Sequence, residues 1–162
     1  MKVGNGDIAS VLPERKDLVF FAAGVSNSQE TRETEYEREQ DLLLKQHPKS
    51  HIVYFSSLAI FYSTTRYTLH KRDMESLVKH AFEHWTIIRL GNITWGKNPN
   101  TLINYLKNHK DAKIQNVYRY IIDKDEFLHW INLIPSWNVE MNCPGRRMKI
   151  IDIVKEINGG IL

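Results

Sequence analysis

A tyrosine and a lysine four residues apart, Tyr67 and Lys71, form the pair in this chain whose types and spacing best suit chemistry. On a helix, this spacing places both side chains on one face. A nearby ammonium favours the phenolate, so it can lower the pKa of a tyrosine from about 10 towards neutral pH. A neighbouring hydroxyl, such as that of Ser57, can orient a substrate alcohol. These three groups suffice to remove a proton from an alcohol during hydride transfer, although the spacing alone also fits an ordinary solvated helix face.

The elements that must position these residues alternate along the chain. Short apolar runs predict strands at 17–22, 51–55, 85–90 and 137–142. Helices are predicted at 31–46, 66–82, 98–109, 123–133 and 149–157, and residues 113–122 are expected to be extended. Such alternation predicts an α/β fold, with a doubly wound parallel sheet and helices on both faces.

Ligands of such sheets bind beyond the carboxyl ends of the strands. The segments expected at that edge are Gly4–Gly6, Ala22–Gly24, Ser56–Ser57 and Gly91–Asn92.

Composition indicates one folded domain spanning residues 1–162. Hydrophobic residues make up 42% of the 162 positions, enough for a real core. We divide the chain into a core of residues 1–96 and a small substrate-side lobe of residues 97–162. The net charge is only +3, and basic residues are interleaved with acidic ones along the sequence, which argues against a nucleic-acid partner.

Other classes of protein are disfavoured by what the sequence contains. Cys143 is the single cysteine, so no internal disulfide is possible, and a reducing cytoplasm is the expected location. The seven histidines show no metal-ligand spacing, and we expect no metal site. No apolar run is long enough for a membrane span, and residues 1–7 lack the apolar region of a signal peptide.

A glycine-rich loop opens the chain. Residues 4–9 match the G-x-G-x-x-[GA] pattern, in which glycines allow backbone to approach a pyrophosphate and a helix N-terminus supplies amide donors. Only residues 1–3 precede it as a strand, and Asp7 brings a negative charge close to the expected phosphates. The acidic residue that normally follows by about 20 positions, on a second strand, is missing.

In order along the chain, several segments resemble the extended short-chain dehydrogenases/reductases of the NAD-dependent sugar epimerase/dehydratase type. The loop at 4–9, the D-L-V-F-F-A-A-G segment at 17–24, the F-S-S-L-A-I-F segment at 55–61 and the Y-T-L-H-K motif at 67–71 match the cofactor-binding and catalytic blocks. Further matches are I-R-L-G-N-I-T-W-G at 88–96, R-Y-I-I-D-K-D at 119–125 and N-C-P-G at 142–145.

The resemblance implies an abbreviated Rossmann-like fold whose second and third strands are absent and whose C-terminal lobe is minimal. It implies NAD or NADP as cofactor, with a weakened adenosine subsite, and a nucleotide-linked sugar as substrate. The implied catalytic residues are Ser57, Tyr67 and Lys71. The implied cofactor contacts are Gly4, Gly6, Ala9, Ala22, Ala23, Gly24 and Lys71, and the implied substrate contacts are Ser56, Asn92 and Arg119.

Two alternatives remain open at this stage. Another register aligns Tyr62 with the family tyrosine that follows the serine and puts Leu58 in the serine position; Ser56 is also a candidate for that role. The absence of the second and third strands also fits a different kind of protein, a non-catalytic scaffold or regulatory subunit that binds dinucleotide poorly or not at all. In that case the altered sheet edge is one that a homo-oligomer can cover.

Overall fold

The computed structural model describes all 162 residues and is built on a five-stranded, wholly parallel sheet. Its spatial order is β1-β2-β3-β4-β7, and the ranges are Lys2–Val3, Val19–Phe21, His51–Ser57, His84–Leu90 and Val139–Cys143. The longest pairing joins β3 to β4 over seven residues, from His51 opposite His84 to Ser57 opposite Leu90. The predicted parallel α/β sheet is therefore confirmed.

Four helices cover the two faces of this sheet: α1 Asp7–Val11, α2 Glu33–Leu44, α3 Arg66–Ala81 and α5 Lys124–Asn132. Because successive side chains of a strand point to opposite faces, β3 divides its apolar residues between two cores. Val53 and Phe55 pack with Phe127 of α5, on the face that α1 also covers. Ile52 and Tyr54 pack against α2 and α3 on the other face.

A second, three-stranded sheet follows the carboxyl end of β4. Its order is β5-β6-β8, with the ranges Asn92–Ile93, Tyr118–Ile122 and Arg146–Lys149, and β6 and β8 run antiparallel. Helices α4, Leu102–Asn108, and α6, Ile150–Asn158, cover one face of it. They form a separate small core around Ile103, Ile121 and Ile153.

The structure corrects several boundaries. The helix expected from residue 98 begins at Leu102, because Thr101 is its N-cap and accepts a hydrogen bond from the Asn104 N–H at 3.3 Å. Only residues 118–122 of the segment expected to be extended form a strand. Strand β8 was missed, since its four residues, R-R-M-K, show no alternation of apolar and polar side chains.

Candidate active site

Tyr67 and Lys71 lie together near the start of α3. The helix begins after Thr65, whose hydroxyl accepts the Thr68 N–H at 3.2 Å, while the Thr68 hydroxyl accepts the Thr65 N–H at 3.0 Å. This reciprocal cap fixes the first turn and with it the position of Tyr67. The Lys71 Nζ lies 5.5 Å from the centre of the Tyr67 ring.

Lys71 is one of the few buried charges of the protein. Its side chain reaches the carboxyl-terminal half of β3, where Nζ donates to the Tyr54 hydroxyl at 3.3 Å and to the Phe55 carbonyl at 3.4 Å. The residue is only 3% exposed. A buried ammonium needs a counter-charge, and Glu39 of α2 supplies one at 3.9 Å.

Glu39 is fully buried and holds several groups in place. Its carboxylate accepts the Val25 N–H and the Tyr54 hydroxyl, both at 2.6 Å, and His70 Nε2 lies 3.1 Å away. Burial raises the pKa of Glu39, but the Lys71 charge and the donors around the carboxylate outweigh it and lower the pKa to about 2. Glu39 and Lys71 are therefore a buried ion pair.

Gly24 closes this cluster from the β2 side. A Cβ atom at position 24 would lie 3.0 Å from both the Lys71 Nζ and the Glu39 Oε1. Gly24→Ala is expected to lower the free energy of unfolding by about 1–3 kcal/mol, because the two buried partners must shift to make room. Urea unfolding measures the loss. The same change at Gly6, where nothing lies within 4 Å of a Cβ, is the control and should cost less; equal losses would contradict the packing described.

The two serines at the end of β3 differ in what they contact. The Ser56 hydroxyl donates to the buried Glu75 at 2.6 Å, and Glu75 is held by Arg89 at 2.6 Å. The Ser57 oxygen accepts the Ala59 N–H at 3.1 Å and caps a 3-10 turn over Leu58–Phe61. Ser57 therefore keeps its own proton free to donate, whereas the proton of Ser56 is committed to Glu75.

The glycine loop lies at the same end of the sheet. Gly4 has φ +116°, a conformation that favours glycine, and a Cβ atom there would lie 2.4 Å from the Ala22 carbonyl oxygen. Only a glycine therefore lets the backbone of the loop lie so close to the backbone at the end of β2. Gly6 caps α1, which is only five residues long. Ala9 is buried within it at 4% exposure.

Asp7 is the first residue of α1, and its carboxylate is used within the protein. It accepts the N–H groups of Lys97 and Asn98, both at 2.9 Å, while its carbonyl accepts the indole N–H of Trp95. These bonds fasten the segment after β5 to the glycine loop. These two backbone N–H groups therefore stabilise the negative charge of Asp7, which lies close to the phosphates that the sequence leads us to expect.

The remaining sequence-predicted residues lie in or beside the small sheet. The Asn92 side chain donates to the Tyr120 carbonyl at 2.9 Å, which ties β5 to β6. Arg119 lies on β6 and donates to the Tyr118 carbonyl. Burial raises the pKa of Tyr62, the tyrosine of the alternative register, and the positive charge of Arg119 opposes that rise.

Sequence reasoning missed Glu39, Tyr54 and the role of Asp7. Glu39 is one of five glutamates between residues 30 and 39, and no local pattern distinguishes it from its exposed neighbours. Its importance arises from the packing of α2 against α3. No group of three or more potential metal ligands is assembled anywhere in the protein. No helix is long and apolar enough to cross a membrane.

The groups that can hold a dinucleotide are partly assembled. The glycine loop, the backbone of residues 22–24 and the Lys71 ammonium all lie at the carboxyl ends of β1, β2 and β3. The five-residue α1 is the only helix that begins at the loop, and no strand lies beyond β1. The residues present therefore suit the nicotinamide half of a dinucleotide better than the adenosine half.

Solved structures share this architecture at low sequence identity. The Bordetella bronchiseptica enzyme WbmG in complex with NAD and UDP is 14% identical, with a TM-score of 0.67 and coverage of 90% of this chain and 56% of that one. UDP-glucose 4-epimerase from Thermotoga maritima with UDP-glucose is 10% identical, with a TM-score of 0.68 and coverage of 90% and 61%. The chain has their fold.

The capsular polysaccharide assembling protein CapF of Staphylococcus aureus matches in the same way, at 20% identity and a TM-score of 0.61, over 90% of this chain and 45% of that one. The chain thus spans about half to three fifths of the length of these structures. No protein-family model matches the sequence, and no curated protein matches it either.

Proposed function

We propose that this protein is an NAD(P)-dependent enzyme that acts on a nucleotide-linked sugar, as an epimerase, dehydratase or reductase. The observation that carries the proposal is the buried Lys71 ammonium beside Tyr67, at the strand end where Ser57 keeps a free hydroxyl proton. The structural neighbours named above include an enzyme with NAD and UDP and an epimerase with UDP-glucose.

Each residue has a defined task in this proposal. The Ser57 hydroxyl donates a hydrogen bond to the substrate oxygen and orients it. Tyr67 takes the proton of the sugar hydroxyl, and Lys71 stabilises the phenolate through its positive charge. The bound dinucleotide supplies hydride acceptance and return. Arg119 and Asn92 are proposed to contact the substrate from the small sheet, and the backbone of Gly4, Gly6 and Gly24 to contact the cofactor.

Binding of NADH or NADPH is the first test. We expect the protein to enhance the fluorescence of one of them, with a dissociation constant below about 1 mM, a weak value because the adenosine side lacks its usual strands. Lys71→Met should weaken binding at least fivefold, because the ribose loses its ammonium partner. Lys79→Met, in the same helix, is the control. Absence of binding at millimolar cofactor would contradict the proposal.

A second candidate is a non-catalytic protein with this fold. The close pairing of Lys71 with Glu39 supports it, since the ammonium is already satisfied without any ligand. The open edge of β1 is then proposed to be a surface that a second copy covers. Light scattering at high concentration tests this candidate: we expect an oligomer, and a strictly monomeric protein would count against it.

A further inference from the structure

Glu39 is the only negative charge close to the Lys71 ammonium. Its carboxylate lies 3.9 Å from Nζ, and no other carboxylate lies within 4.0 Å of that atom. Glu75, four residues further along α3, is bound instead by Arg89 and Ser56, each at 2.6 Å. Because Glu39 is 0% and Lys71 only 3% exposed, water supplies little of the stabilisation that either charge needs. The charge of Lys71 therefore depends on Glu39.

A neutral tyrosine connects the two charges. Burial raises the pKa of Tyr54 well above its ordinary value, and the negative charge of Glu39 raises it further. The phenol therefore keeps its proton and donates it to Glu39 at 2.6 Å, while its oxygen accepts from Lys71 at 3.3 Å. Tyr54 thereby helps to fix the position of the ammonium without supplying a charge of its own.

His70 and Tyr67 are the remaining titratable side chains beside this pair. The His70 Nε2 lies 3.1 Å from the Glu39 carboxylate, and the centre of the Tyr67 ring lies 5.5 Å from the Lys71 Nζ. Burial opposes ionisation of Glu39, but the Lys71 charge and the donors around the carboxylate outweigh it and lower the pKa of Glu39 to about 2. Glu39 is therefore negative throughout the neutral range, so it is a permanent counter-charge for Lys71.

One proton of the ammonium has no acceptor. An ammonium has three N–H donors, and the Tyr54 hydroxyl and the Phe55 carbonyl accept two of them, at 3.3 and 3.4 Å. The Glu39 carboxylate, at 3.9 Å, is beyond hydrogen-bond distance. On the β2 side the neighbour of Nζ is Gly24, which has no side chain to accept a bond. The charge is thus balanced, and one donor is left for a hydroxyl of a bound ligand.

We propose that Glu39 is a positioning residue for the dinucleotide, because it keeps Lys71 charged and its third N–H available to a ribose hydroxyl at a pH where a buried lysine alone has lost its proton. This inference rests on the proposed function, since it names what maintains the cofactor contact of that same site. A buried ammonium without a counter-charge gives up its proton readily, because desolvation disfavours the charged form. The neutral amine would bind the ribose more weakly and would no longer favour a phenolate at Tyr67.

The affinity for NADH or NADPH, whichever the wild type binds, tests this role when it is measured by fluorescence between about pH 6 and about pH 9. The wild type should bind with the same affinity throughout. Glu39→Gln keeps the shape of the side chain and removes its charge. At about pH 9 its affinity should fall at least about fivefold, to that of Lys71→Met, because a hydrogen bond from a charged donor is lost. The affinity should recover as the pH falls and the proton returns.

Glu39→Asp is the matched control. It retains the charge on a shorter side chain, so it should lose stability but keep the pH-independent binding of the wild type. The proposal is overturned if Glu39→Gln binds as the wild type does at the alkaline end, if it is equally weak at both ends of the range, or if Glu39→Asp behaves as Glu39→Gln does. A wild type that binds neither dinucleotide contradicts the proposed function, and the role of Glu39 in binding falls with it.

A second measurement needs neither a dinucleotide nor a folded Glu39→Gln variant. The ¹³C chemical shift of the Lys71 Cε atom, identified by its absence in Lys71→Met, reports whether the side chain is an ammonium or an amine. In the wild type, the shift should stay that of an ammonium up to about pH 9. Loss of the proton below that pH would overturn the proposal. Where Glu39→Gln folds, its Lys71 should become an amine at lower pH than in the wild type, and an unchanged titration would overturn the proposal as well.

Discussion

Replacing Glu39 with alanine is expected to lower the free energy of unfolding by about 3–5 kcal/mol, because the Lys71 ammonium would remain buried without its counter-charge. The Val25 N–H and the Tyr54 hydroxyl would also lose their acceptor. Urea unfolding followed by circular dichroism measures the change. Few single substitutions in a protein of this size should cost as much.

Two further variants show whether the pair itself is responsible. Glu37→Ala, on the exposed side of the same helix, should change stability little. The double variant Glu39→Leu/Lys71→Met removes both charges and should recover most of the loss, since replacement of a buried ion pair by apolar residues is often neutral. A loss below about 1 kcal/mol for Glu39→Ala would contradict the buried ion pair.

The same group gives stability a definite dependence on pH. The pKa of Glu39 in the folded protein is about 2, below its ordinary value of 4.5. Its contribution is therefore fully present above pH 4.5 and is lost as the pH falls towards 2. The difference between wild type and Glu39→Ala should shrink over that interval, and a difference that stays constant would contradict the pKa shift.

Tyr67→Phe is expected to reduce turnover of a nucleotide-linked sugar by about 10²–10⁴-fold, the usual contribution of a positioned proton donor or acceptor. The ring is retained, so cofactor affinity should be unchanged within about twofold. The assay follows conversion of a panel of nucleotide-linked sugars, UDP-glucose among them, in the presence of NAD and NADP.

Tyr62→Phe is the matched control for this experiment. Tyr62 is the tyrosine of the alternative register, and it lies before α3. Activity that falls with Tyr62→Phe and survives Tyr67→Phe would reverse the assignment of the base. A wild-type protein that turns over none of the panel would favour the non-catalytic candidate.

The fold was predictable where apolar periodicity is strong. The apolar runs at 51–55 and 85–90 predicted β3 and β4, because parallel strands buried on both faces consist almost entirely of apolar residues. The apolar face of residues 66–82 predicted α3. Strand β8, with the sequence R-R-M-K, carries no such signal. It forms because it pairs with β6 and buries Met148 in the small core.

The candidate site was predictable only in part. Motif spacing brought out Tyr67, Lys71 and Ser57, and the structure places Tyr67 beside Lys71. The buried partner of Lys71 was not predictable, since Glu39 lies 32 positions away on another helix and only tertiary packing makes it special.

The most direct measurement is a crystal structure determined with NADH or NADPH present at millimolar concentration. The account predicts density for the nicotinamide and its ribose beside Tyr67 and Lys71, continuing across Gly4 and Gly6. If no cofactor density appears there, and the Glu39–Lys71 pair is unchanged at millimolar cofactor, the claim that this site binds a dinucleotide is contradicted.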